Sequence, residues 1–352
     1  MDIGERIKIA RRAAELSQRD LAKAVGVSAM AISKYERGLD IPSSGVLLRL
    51  AQALAVKTEY FLRPVTVTLT TPSFRRRTSL PRKKEYAILG QVQEWLERYL
   101  DTESLFGESP SFLPADLHRR VASLEQVEQV ALDLRQSWSL GSDPIESLVE
   151  VLEDRGIKVG LVEGHKDFDA LTFWIDDGGP VIVVKRDLPG DRQRLNLAHE
   201  LGHLILEPQD GLDEEKAAYR FAAAFLVPES AARFELGSRR RVLDFYELHL
   251  LKHKYGLSMQ AWVYRAKDLG ILSESSATRL FRQFRQKGWH RLEPGDQIPP
   301  EEPKRMKRLV LRALAEDVVS ESRAAELLGM PLRQFWQEEA EQHEGFPVAV
   351  RG

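Results

Sequence analysis

The stretch Arg194–Leu206 constrains this chain more than any other. It is an apolar run carrying His199-Glu200 and then His203. Residues four apart on a helix project from one face, so the two imidazoles are placed to share a metal ion. Glu200 sits beside that face, within reach of a water. The pattern supplies two nitrogen ligands, an open coordination position and a carboxylate to take the water's proton. With 8 histidines among 352 residues such a match arises cheaply by chance. The apolar flanks count against chance, because imidazoles on a buried or cleft-facing helix need a reason to be there. Gly202 also needs one, since glycine inside a helix costs about 1 kcal/mol against alanine. Close approach of another segment is the expected use.

The chain has no cysteine. Disulfides and thiolate sites are therefore excluded, histidine and carboxylate remain as strong ligands, and a cytoplasmic setting is expected. A third ligand is sought on the next helix, Asp213–Pro228, where Ala218, Phe221, Ala222 and Phe225 recur at helical spacing. Glu215 lies three residues before Ala218, on the edge of that packed face, and is the chosen ligand. Asp213 and Glu214 suit the acidic start of a helix.

Arg194-x-x-Leu197-Ala198-His199-Glu200-Leu201-Gly202-His203, followed by Glu215-x-x-Ala218-x-x-Phe221-Ala222 and Leu226-Val227-Pro228, resembles the ImmA/IrrE metallopeptidases. The resemblance implies a Zn²⁺ held by His199, His203 and Glu215, with Glu200 as general base. Where the family often has Asn or Asp after the alanine, this chain has Tyr219, read here as a core residue and a weak oxyanion candidate.

The first 63 residues form a run of short helices. Ile3, Ile7, Ala10 and Ala14 mark the first, Ser17 caps the second, Gly26 turns the chain, and Ser28 caps a third through Arg37. A fourth follows Pro42-Ser43-Ser44, and Thr58–Leu62 makes a short fifth. Two helices joined at Gly26 have helix-turn-helix spacing. The stretch, including Tyr35-Glu36-Arg37-Gly38, resembles the XRE family of DNA-binding domains. That resemblance implies that Gln18 meets a phosphate and that Ser28, Ala29, Met30, Ser33 and Lys34 face the major groove. Ala29 and Met30 offer apolar contact, Ser33 and Lys34 hydrogen bonds, and Arg37 a phosphate anchor.

A formal net charge of −2 excludes general polyanion binding, so DNA contact must come from a local basic surface. At 352 residues about two or three domains are expected. The expected fold is multidomain and mostly α. A five-helix helix-turn-helix bundle (1–63) precedes a basic linker (64–84), a central α+β zincin-like domain with a small sheet (85–235) and a C-terminal helical region (236–352). The linker pairs an alternating stretch, 65–70, with basic clusters 75–77 and 82–84. A helix from Glu85 to Leu100 is followed by a turn at 107–114, then by helices at 123–138 and 144–155. Strands are expected at 157–162, 170–175 and 180–184, with Gly178-Gly179 turning between the last two. Ala170–Trp174 is the expected edge strand for an extended peptide. Beyond Pro228 helices resume, Pro294–Pro303 reads as a linker, and Ala324–Pro331 echoes the start of a helix-turn-helix. No apolar run of about 18 residues or N-terminal leader is apparent, so neither membrane span nor signal peptide is expected.

Taken together, the two resemblances imply a stress- or phage-linked transcriptional regulator with a zinc-dependent endopeptidase domain. Expected partners are a double-stranded DNA operator and a protein substrate, a helix-turn-helix repressor or this chain's own N-terminal module. A homodimer on DNA is expected. The alternative is a non-proteolytic, antitoxin-like repressor whose metal domain is structural or sensory.

Overall fold

The computed structural model describes residues 3–67, 69, 81–107, 119–163, 166–175, 179–209 and 211–343. Thr68, Thr70, Arg75–Arg77, most of the expected 107–114 turn and Gly178 lie outside these residues. The chain forms two compact units, Met1–Ser109 with Lys304–Gly352, and Pro110–Pro303.

In the first unit, α1 (Ile3–Ala13), α2 (Gln18–Val25), α3 (Ala29–Glu36), α4 (Ser44–Ala53) and a 3₁₀ turn (Thr58–Leu62) enclose Ile7, Leu21, Val25, Ile32, Leu50 and Phe61. The expected fifth helix is thus a 3₁₀ turn. Ser17 and Asp20 form a reciprocal capping box on α2 (3.0 and 3.1 Å), satisfying two otherwise orphaned N–H groups. Those bonds hold the Asp20 carboxyl below its ordinary range. Gly26 ends α2 at φ +72°, a left-handed conformation that favours glycine. Val65–Val67 form no strand; the Val67 carbonyl instead accepts from Gln93 Nε2 (2.7 Å).

The long helix α5 (Arg82–Ser104) belongs to this unit, whereas the sequence reading placed it with the metal domain. It buries Ala87, Ile88, Val92, Leu96 and Tyr99, and Gly90 admits Ala13 of α1 so closely that a Cβ there would lie 2.6 Å from the Ala13 Cβ. Buried Arg6 reaches Glu97 at 2.6 Å. The same unit also takes in α14 (Arg305–Ala315), α15 (Glu321–Leu327) and α16 (Leu332–His343), so the expected C-terminal region divides near residue 303.

In the second unit, β2 (Lys158–Val162) runs parallel to β4 (Gly179–Lys185), and β3 (Ala170–Ile175) pairs antiparallel with β4, giving the order β2-β4-β3. A separate short parallel pair, β1 (Arg119–Val121) and β5 (Leu206–Pro208), was not foreseen. Helices α6 (Leu124–Ser137), α7 (Leu148–Asp154), α8 (Gly190–Ile205), α9 (Glu214–Leu226), α10 (Glu229–Leu236), α11 (Phe245–Tyr255), α12 (Met259–Asp268) and α13 (Glu274–Gln286) share one core with the β2-β4-β3 sheet.

Most of the expected linker at 294–303 is instead, with Glu293, a strap over the start of α8. Gly190 N donates to the Ile298 carbonyl (2.8 Å), Gln193 exchanges bonds with the Glu301 backbone (2.8 and 2.7 Å), and Arg194 pairs with the Glu301 carboxylate. Fully buried Lys252 joins Asp191 of α8 to Glu293 (3.1 Å each). Buried charges of this kind persist only when fully paired. The strap therefore fixes the helix that carries the two histidines.

At its other end α8 crosses α9. A Cβ on Gly202 would lie 3.2 Å from the Ala218 Cα and 3.2 Å from Phe221 Cδ1. Gly202→Ala is expected to destabilise the second unit by about 1–3 kcal/mol through overpacking. Helix propensity alone would have given a gain of about 1 kcal/mol. Urea unfolding followed by tryptophan fluorescence distinguishes the two signs.

Candidate functional site

The crossing at Gly202 and Ala218 brings three donors together. His203 Nε2 lies 3.1 Å from His199 Nε2. Glu215 places one oxygen 3.3 Å from the His199 nitrogen and the other 3.5 Å from that of His203. Among the described residues these three form the group able to hold a metal, with donor atoms within 4.8 Å of one another. A tetrahedral ion with Zn–N bonds of about 2.0–2.1 Å holds its ligands roughly 3.3–3.4 Å apart. The donor set, two imidazoles and a carboxylate, therefore fits zinc in both chemistry and spacing.

Burial is graded across the site. His199 is 8% exposed and Glu200 5%, while the Glu215 side chain is 55% exposed. The helix thus forms the dry wall of the site, and the carboxylate stands at an open mouth. Glu214, read from sequence as a helix-start charge, accepts from His203 Nδ1 at 3.1 Å. That bond fixes the tautomer and turns the Nε2 lone pair toward His199 and Glu215.

Tyr219 is not a core residue. It is 53% exposed, and its ring centroid stands 4.2 Å from that of His199. One turn from Glu215, it faces outward where Ala218 and Phe221 face the crossing. Partial burial, then the Glu215 charge, push its phenol above the ordinary range. β3 lies at the edge of its sheet, with α8 packed against both β3 and β4.

In the first unit, Gln18 Nε2 donates to Glu36 (2.7 Å), which a bidentate Arg11 holds in turn (2.5 and 3.1 Å). Ser28 spends its hydroxyl on Ala31 N (3.1 Å), and Ala29 packs partly on the core. Met30 is 67% exposed, Lys34 and Arg37 are exposed, and Ser33 is half-buried with its carbonyl accepting from Arg37 Nε (3.1 Å). Sequence reasoning missed Arg19 and Lys23, exposed on α2 and adding cations to this face. Of the second basic cluster, Lys84 lies in α5 and is paired with Glu15 (2.7 Å).

These features define a helix-turn-helix protein that also carries a His-Glu-x-x-His centre. Residues 7–61 match the helix-turn-helix family model and residues 152–267 the IrrE N-terminal-like domain; the chain therefore carries both domains. Over 59 residues it is 44% identical to an uncharacterized transcriptional regulator in the ATPase CF(0) region of Rhodospirillum rubrum, covering 17% of this chain and 55% of that protein. Over 59 residues it is 36% identical to the uncharacterized helix-turn-helix regulator y4wC of Sinorhizobium fredii, covering 17% of this chain and 41% of that protein. The chain thus spans about half the length of the curated relatives it matches. Apo ComR from S. thermophilus aligns over 93% of this chain and 98% of its own at 14% identity, with a TM-score of 0.17. ComR in complex with DNA and its signalling peptide ComS aligns over 93% and 99% at 13% identity, with a TM-score of 0.20. Both scores are too low to transfer anything to this chain.

Glu214→Gln is expected to weaken zinc affinity roughly 10- to 100-fold, as loss of an outer-shell partner does. His203→Ala should abolish stoichiometric binding. Competition with a chromophoric chelator measures both.

Proposed function

We propose that this chain is a DNA-binding regulator whose second unit is a zinc-dependent endopeptidase, acting on a regulatory protein of the helix-turn-helix kind. The observation that carries the reading is Glu200, a carboxylate 5% exposed on the same helix as the two histidines. A purely structural metal site has no use for it.

In this reading His199, His203 and Glu215 hold the ion, and Glu214 orients His203. Zinc, when bound, supplies Lewis acidity to polarise a carbonyl and acidify a water. Glu200 takes the proton from the attacking water and returns it to the leaving amine. The free edge of β3 receives the substrate as an added strand, its backbone groups satisfied by main-chain hydrogen bonds. Water is excluded on the helix side and admitted past Glu215.

The α2–α3 face reads a duplex operator, with Gln18, Arg19, Lys23 and Arg37 on phosphates and Met30, Ser33 and Lys34 in the groove. Two such modules on a paired operator make the working form a homodimer. Among the described residues no helix is long and apolar enough to cross a membrane. A second reading, a regulator that cuts nothing, draws on the relatives, both named as transcriptional regulators and both matching only 17% of this chain.

Glu200→Gln tests the enzyme. Retained zinc with cleavage reduced by about 10²–10⁴-fold is the expected result; unchanged loss of the target protein in cells would sink the reading. On DNA, Arg37→Ala should lower the salt dependence of binding by about one counterion, whereas Lys34→Ala should weaken binding through a lost groove contact, both read from affinity titrations across a salt series.

A further inference from the structure

The C-terminal helices α14–α16 repeat α1–α3 of the N-terminal module at a constant offset, with Arg323 and Pro331 in the places of Asp20 and Ser28. Ser17 accepts from Asp20 N at 3.1 Å to cap α2, and Ser320 accepts from Arg323 N at 3.3 Å to cap α15. Nine residues after each serine stands a left-handed glycine, Gly26 at φ +72° and Gly329 at φ +73°. The next residue closes the same bond in both: Val27 N to the Ala22 carbonyl and Met330 N to the Ala325 carbonyl, each 3.0 Å. The buried positions coincide as well, with Ile7, Ala10, Leu21, Ala22 and Ile32 matched by Val310, Ala313, Ala324, Ala325 and Phe335. Residues 305–343 are therefore a second helix-turn-helix, with α16 in the place of the reading helix α3.

The surfaces are not alike. Where the first module exposes Arg19, Lys34 and Arg37, the second exposes Ser322, Gln337 and Ala340. Lys23 is replaced by Glu326, and Gln18, the phosphate-facing position, by exposed Glu321. Protein–DNA affinity is dominated by cations that neutralise phosphate. Although Arg323 and Arg333 stand where Asp20 and Met30 do, the positions of Arg19, Lys23, Lys34 and Arg37 carry no cation here. In their place α16 presents Trp336, 51% exposed, its Nε1 bonded to Glu321 at 2.9 Å, beside exposed Arg333, Gln334, Gln337 and Glu341. Tryptophan and arginine are the residue types that anchor protein interfaces.

We propose that this second helix-turn-helix docks on the DNA-reading face of a second copy of the chain, so that self-association and DNA compete for one surface. The exposed carboxylates Glu321 and Glu341, which outnumber Arg333 around Trp336, complement Arg19, Lys23, Lys34 and Arg37 around exposed Met30. Within one chain α15 is instead tied to α5 and to the segment after the 3₁₀ turn, with Arg323 on Asp101 and Glu326 on Arg63. The proposal rests on α3 being the DNA reader. Because charge drives the contact, salt weakens it.

The test uses full-length protein in sedimentation experiments at low and high salt, with and without a mixed-sequence DNA duplex too short to seat two reading modules. Self-association at low salt that loosens at high salt and is displaced by duplex is the expected result. Trp336→Ala should weaken it roughly tenfold or more. Glu341→Lys, on the surface and outside the core, should weaken it with an unchanged melting curve. Association indifferent to both substitutions, or persisting with saturating duplex, overturns the proposal. So does a loss of duplex affinity on Arg333→Ala, which would make α16 a DNA reader. Lys34→Ala and Arg37→Ala separate the two readings. If they leave duplex affinity intact, the DNA-reading assignment fails, whereas docking fails only if self-association is also unmoved.

Discussion

The second unit depends on one close crossing. With no side chain at position 202, α9 settles against α8 so that Ala218 and Phe221 lie where a larger residue would hold them off. Glu215, nearly one turn earlier on α9, is thereby carried to the face on which His199 and His203 stand. Stacked Phe221 and Phe225, with ring centroids 5.6 Å apart, fill the space behind the crossing. The other end of α8 is fixed independently by Lys252, Glu293 and Glu301. A helix clamped at both ends keeps its side chains in one geometry, which is what a site built from separate helices requires.

The site was legible in sequence to the extent that its geometry is local. His199, Glu200 and His203 share one helix, so spacing alone sets their relation. The identity of Glu215 followed from its distance to Ala218 along α9, and the use of Gly202 from the cost of glycine in a helix. The contact between His203 and Glu214 and the outward turn of Tyr219 were not legible, because each depends on the angle at which α9 crosses α8. The strap at 293–301 was hidden for a related reason. Its Pro- and Gly-rich composition is that of a linker, and its bonds run largely through backbone atoms, to residues about a hundred positions away. Helix α5 was misplaced because amphipathic spacing shows that a face is buried and says nothing of which neighbour buries it.

Charge explains how a chain of net charge −2 can carry a DNA-binding module. Arg19, Lys23, Lys34 and Arg37 are exposed on one module, while Arg11, Glu36 and Gln18 form a neutralised network beside them. The C-terminal helices keep one serine cap, the left-handed glycine and the pattern of buried positions, and differ most in what faces solvent. Fold and surface thus carry separate information. The echo at Ala324–Pro331 falls on α15 and the turn at Gly329. A serine cap, a turn glycine and a proline are local features that a sequence displays directly, and the missing cations are what distinguish its surface from the first module's.

The most direct test is metal analysis of full-length protein purified without a polyhistidine tag, together with X-ray absorption at the zinc edge. One equivalent of zinc with two imidazole ligands and oxygen in the remaining positions, lost in His199→Ala and in Glu215→Ala, is the result expected. Protein that takes up no zinc, or that keeps a full equivalent after both substitutions, would contradict the centre on which the enzyme reading stands.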